Sequence, residues 1–162
     1  MAKSTRDLEG SLKFRFERRD GVNWIAIAGE VDEASDFTPI MRMTGRAVID
    51  LGAVKRINSM GVHNWITFVR HCEKVGVDLT FERCPPVLVG QMSMIRNFMG
   101  TEPHVRSVLV PYSCPACGRA HEELLVIAAG AAVQPTVACP SCKSSMQLEE
   151  LPETYDEVLR RL

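Results

Sequence analysis

The chain has 162 residues, 46% of them apolar, and its 19 Lys and Arg against 20 Asp and Glu leave a net charge of −1. That balance excludes the basic footprint that nucleic-acid binding needs and the polybasic patch that draws a protein to anionic lipid. The opening MAKSTRDLEG lacks the apolar run of a secretion signal, and the greasiest stretch, LLVIAAGAAV at 124–133, is too short to span a bilayer. The expectation is therefore a cytoplasmic protein, with no membrane insertion and with reduced cysteines.

In SLKFRFERRD, Leu12, Phe14 and Phe16 alternate, which predicts a strand. Asp20-Gly21 is a hairpin signal, and VNWIAIAGEVD follows as a second strand with apolar residues on both faces. SDFTPIMRM carries Phe37, Ile40 and Met41 at helical spacing and predicts a short helix, with Pro39 in its first turn. RAVIDL, residues 46–51, reads as a buried strand. The strongest helical signal comes next: Val62, Trp65, Ile66, Val69 and Cys72 form one stripe, and Gly76 stands where a C-terminal cap belongs. VDLTFERC alternates as a strand. PPVLVGQMSMIRNFMG predicts a helix with Leu88, Met92, Ile95 and Met99 on one stripe and a stop at Gly100, and VRSVLVPY is a further strand. Cys72 and Cys84 read as small buried hydrophobes. Two strands followed by alternating helices and strands define an α/β domain with a mixed sheet over residues 1–110.

Within that domain, Ile49-Asp50-Leu51, a short loop, and then Asn58-Ser59-Met60-Gly61 opening an apolar helix resemble the STAS family. That family includes anti-sigma-factor antagonists and the cytosolic domains of sulfate transporters. The resemblance covers residues 11–110 and implies a STAS-like mixed sheet with helices. In the antagonist branch the matching serine is phosphorylated by a partner kinase, and the unphosphorylated form binds that kinase. The resemblance thus makes Ser59 the candidate phosphoacceptor and Asn58, Met60, Gly61 and His63 candidate partner-binding residues, with a serine kinase of the anti-sigma type as the partner. The sequence departs from the family pattern in carrying Asn58 for an aspartate and Met60 for a small residue. Serine is also a preferred helix N-cap, worth about 1 kcal/mol, so a cap with no switch is the other reading of Ser59.

CPACG at 114–118 and CPSCK at 139–143 place two C-x-x-C pairs 21 residues apart. Tetrahedral Zn2+ takes four soft ligands, and each pair supplies two thiolates from one tight turn, so Cys114, Cys117, Cys139 and Cys142 are the candidate metal ligands. Iron in the same site and thiol–disulfide chemistry at a C-P-x-C pair are the alternatives. With all four positions taken by protein, such a site is closed and structural rather than catalytic. HEELLVIAAGAAVQPTVA between the pairs is expected to form a hairpin that carries the second pair to the first. Residues 111–150 resemble a zinc ribbon, a small β module. From Leu109 onward four Lys and Arg face seven Asp and Glu, which argues against phosphate binding there as well. LPETYDEVLRRL, residues 151–162, predicts a short docking helix with acids early and Arg160-Arg161 late, as the helix dipole favours.

No nucleophile–base pair, phosphate cradle or open metal is visible, so the chain is not expected to be an enzyme. It reads as a regulatory or adaptor protein that binds a protein partner through its first domain, switched by Ser59. The alternatives are a constitutive structural subunit and a small-ligand sensor for a nucleotide or lipid.

Overall fold

The computed structural model describes residues 12–162 and the backbone of Ser4–Arg6. The alternation in the first third of the chain builds an antiparallel meander: β1 (Ser4–Arg6), β2 (Leu12–Arg19) and β3 (Val22–Val31). Asp20 and Gly21 both take positive φ, 49° and 76°, the geometry of a tight hairpin turn. β4 (Arg46–Ile57), β5 (Asp78–Glu82) and β6 (His104–Val105) then run parallel to β3, one beside the next. The result is a mixed six-stranded sheet in sequence order, within an α/β fold.

One face of this sheet is the core. Leu12, Phe14, Ile25, Ile27, Ile49, Leu51, Leu79 and Phe81 are buried on it. Helix α1 (Ser59–Lys74) covers them with the stripe read from the sequence, and its chain turns out at Gly76, φ 76°. Trp65 is the hub, with Phe37, Phe68, Phe81 and Phe98 rings 5.6–6.1 Å away and its Nε1–H donating to Phe98 O at 3.0 Å. The opposite face carries charge. Trp24 lies there half-buried, with the Arg19 and Arg106 guanidinium carbons 5.9 and 6.0 Å from its ring, beside the Arg106–Glu82 and Arg83–Asp50 ion pairs.

Several elements differ from expectation for local reasons. Residues 35–43 form turns instead of a helix: Pro39 has no N–H to give, and only Met41 reaches back four residues, to Phe37 O. Phe37 still enters the core, stacked on Phe68 at 4.9 Å. The strand expected over 46–51 continues to Ile57, with no loop before the helix. Two register shifts against β3 reset its alternation so that Val54 is buried along with Leu51. Helix α2 (Pro86–Met94) opens on its proline and stops early, because Ile95 turns extended (φ −111°, ψ 115°) and sends Phe98 back to Trp65.

The last expected strand divides at Arg106. Its start is β6, and the rest is β7 (Ser107–Ser113) in a second, antiparallel sheet ordered β8 (Ala120–Val126), β7, β10 (Ser145–Leu148), β9 (Thr136–Ala138). The two sheets are stitched together by backbone bonds: Arg106 N–H to Phe81 O at 2.7 Å, Cys84 N–H to Ser107 O at 3.1 Å and Leu109 N–H to Cys84 O at 2.8 Å. The expected boundary after residue 110 falls inside β7. Helix α3 (Pro152–Arg161) folds back on this joint, with Tyr155 O–H donating to Leu109 O at 2.6 Å and Arg161 to Met92 O, at the end of α2, at 3.1 Å. One apolar cluster consequently runs from Leu12 through Trp65 and Val110 to Cys139, Met146 and Val158. Among the described residues no helix is long and apolar enough to cross a membrane.

Candidate metal centre and the start of α1

The hairpin expected over the segment between the cysteine pairs does not form. β8 pairs with β7 and β9 with β10, which puts β8 and β9 on opposite edges of the sheet. Each cysteine pair is instead the tip of its own hairpin. Cys114 N–H donates to Arg119 O and Gly118 N–H to Cys114 O, both at 2.8 Å. Cys139 N–H donates to Ser144 O at 2.8 Å and Lys143 N–H to Cys139 O at 3.0 Å. The residue after each second cysteine is left-handed, Gly118 at φ 73° and Lys143 at φ 64°. The two tips therefore share one design and face each other, with Arg119 hydrogen-bonded across to Ser141.

This brings Cys114, Cys117, Cys139 and Cys142 together with every pair of sulfurs within 4.8 Å. Cys114 Sγ lies 3.5 Å from Cys142 Sγ, and Cys117 Sγ 3.7 Å from Cys139 Sγ. Sulfurs placed about 2.3 Å from a tetrahedral ion stand about 3.8 Å apart, so the cluster fits a metal of that size. Cys114 and Cys139 are buried and Cys117 and Cys142 are exposed. Hydrogen bonds from Ser144, side chain first and then backbone, pull the Cys142 thiol down to about 6. The Cys142 backbone N–H holds Cys139 below the ordinary thiol range. Cys117 is lowered by the Arg119 backbone, but its thiol neighbours Cys114 and Cys142 outweigh this and raise it to about 12. A cation held by all four sulfurs takes them as thiolates and displaces their protons. His121 stands apart from the cluster, paired with Glu123 at 3.0 Å. The other two cysteines are inert by environment: burial raises Cys72 to about 12 and pushes Cys84 higher still.

At the start of α1 the cap is Asn58, not Ser59. Asn58 Oδ1 accepts from Gly61 N–H at 2.8 Å, and its Nδ2 donates to Glu33 Oε2 at 2.8 Å, which holds the Glu33 carboxyl below its usual range. Ser59 is the first helical residue, exposed, and its hydroxyl has no partner among the described residues. Met60 is 53% exposed beside it and His63 is exposed one turn on. No acidic residue stands in this first turn. Gly61 lies on the inner side, buried, where a Cβ would press into Val31 O and come within 2.9 Å of Asp32 N. Its place in the sequence follows from that close approach of helix and strand. Glu33 had no signal in the sequence, since only the fold sets it against Asn58. The chain matches no known protein family model and no curated protein.

Proposed function

We propose that this chain is a non-enzymatic regulatory adaptor with a STAS-like first sheet, that its protein partner docks at the start of α1, and that phosphorylation of Ser59 releases the partner. The observation that carries the reading is the unengaged Ser59 hydroxyl, exposed at the first helical position because Asn58 does the capping. A kinase can take that hydroxyl without undoing the helix. The phosphate that results brings roughly −1.5 to −2 charge to a helix N-terminus, where the dipole and free N–H groups favour it, so the fold survives. A partner surface matched to a neutral hydroxyl and to the apolar Met60 does not tolerate it. The family resemblance supplies the partner class, a serine kinase of the anti-sigma type.

The four-cysteine centre is a structural zinc site in a ribbon-like sheet. The all-thiolate donor set and the closed tetrahedral spacing support zinc, and such a site stabilises folding without leaving a position for chemistry. Elemental analysis is expected to find one zinc per chain, and the visible absorption of a ferric tetrathiolate in its place would assign iron.

The switch is tested by retrieving tagged wild-type, Ser59→Ala and Ser59→Asp chains from their own cells and comparing the proteins retained. Wild type and Ser59→Ala should hold the same partner, and Ser59→Asp should lose it. Equal retention by all three would make the chain a constitutive scaffold.

A further inference from the structure

A cavity of about 300 Å3 opens between α2, the turn at 95–103 and α3. Met92, Ile95, Met99 and Val158 give it an apolar side, and Asn97 and Thr101 stand among its polar residues. Two of the residues that line it are cationic, Arg96 and Arg161, and none is acidic. Arg161 is fixed in place: one nitrogen donates to Met92 O at 3.1 Å and the other meets Glu157 at 2.6 Å. Glu157 also takes Arg160, at 2.9 Å, and the Glu73 carboxylate accepts from Thr101 at the rim, so the cationic character of the cavity rests on Arg96 and on the donors Arg161 has left. Arg96 is exposed and forms no ion pair among the described residues. α2 has no charged residue along its nine positions. Neither the metal centre nor Ser59 uses this cavity.

We propose that the cavity binds a single-chain amphiphile with an anionic head, the tail lying among Met92, Ile95, Met99 and Val158 and the head at Arg96 and Arg161. Concave apolar sites with a few convergent polar groups are the usual form of small-ligand pockets, and 300 Å3 is at the small end of their range. It equals roughly ten water volumes at about 30 Å3 each, room for a chain of about eight to ten heavy atoms. Arg161 presents donors that need no reorganisation on binding, and a planar guanidinium suits a carboxylate or a phosphate equally. Because α3 forms one wall and α2 another, an occupied cavity pins the C-terminal helix to the first sheet.

The test is isothermal titration calorimetry on the full zinc-loaded chain with hexanoate, octanoate, decanoate, octyl phosphate and 1-octanol. The expected result is one saturable site that tightens roughly tenfold for each two added methylenes until the cavity is full. Octanol should bind at least about tenfold more weakly than octanoate, as the loss of a charge-assisted contact implies. Whichever of octanoate and octyl phosphate binds more tightly identifies the head group as a fatty carboxylate or a phosphate ester. Arg96→Gln, an exposed substitution, should weaken octanoate about tenfold and leave octanol unchanged. Arg161→Gln, with its fold checked by circular dichroism, should do the same. The proposal fails if no chain saturates the protein at millimolar concentration, if octanol binds as tightly as octanoate, or if both arginine variants bind octanoate as the wild type does.

Discussion

Replacing Gly61 with alanine should destabilise the chain even though alanine is the better helix former. The first turn of α1 is pressed onto the end of β3: Asn58 N–H donates to Val31 O at 3.1 Å, and Asn64 Nδ2 to Asp32 O at 3.0 Å. A methyl group at position 61 would overlap Val31 O and lie 2.9 Å from Asp32 N, both rigid backbone, where ordinary contact begins at 3.4 Å. The helix must retreat to make room. That movement loses the Asn58–Val31 bond, about 1 kcal/mol, and loosens the Asn58 cap, about 1 kcal/mol more. Strain in a packed site adds about 1–3 kcal/mol, while the gain in helix propensity offsets about 1 kcal/mol. The net loss is about 2–4 kcal/mol. Gly90, inside α2 with nothing within 4 Å of where its Cβ would stand, is the control, and Gly90→Ala should stabilise by about 1 kcal/mol. Urea unfolding of both variants at fixed zinc, followed by circular dichroism, measures the difference. Gly61→Ala within about 0.5 kcal/mol of wild type, or a shift equal to that of Gly90→Ala, would refute the close approach.

Three further outcomes follow from single contacts. Asn58→Asp keeps the cap acceptor but turns a donor toward Glu33 into a second carboxylate. In the wild type the depressed Glu33 carboxyl contributes stability above its ordinary value of 4.5, lost as pH falls through the depressed one. The variant should therefore be less stable than wild type at neutral pH, with the difference closing only as pH falls below about 4 and both carboxyls protonate; a constant difference across a pH series of melts would contradict this. Tyr155→Phe removes the bond to Leu109 O that ties α3 to β7 and should lose about 1–2 kcal/mol in thermal unfolding, whereas an unchanged melting temperature would show that the bond adds nothing. Metal removal by a chelator should lower one cooperative transition of the whole chain, since the apolar cluster includes Cys114 and Cys139 together with Trp65. Two separate transitions in calorimetry would show that the second sheet melts alone.

The parts legible in the sequence are those fixed by strong local patterns. The stripe from Val62 to Cys72 specifies α1, and the alternation in β2 and β3 specifies the hairpin, because one buried face is enough to set each period. The four-cysteine cluster is legible from residue type and spacing, since two C-x-x-C pairs mark sulfurs that can share one ion wherever the strands run. What escaped depended on distant partners. Asn58 and Ser59 are both good caps by type; β4 pairing with β3 as far as Ile57, and Val31 O accepting the Asn58 N–H, decide between them. The stretch Gly52–Ile57 reads as a loop because its bulges break the alternation. Strands β8 and β9 read as a hairpin because they are neighbours in sequence, but each cysteine pair closes a tighter hairpin of its own. The cavity between α2 and α3 joins residues some 60 positions apart and leaves no local mark.

The measurement that bears most directly on the switch is the native mass of the chain isolated from its own cells, with fragmentation to place any modification. The account predicts a population carrying one phosphate on Ser59, in proportions that change with growth conditions. Ser59 unmodified under every condition, or phosphate only at other residues, would contradict it.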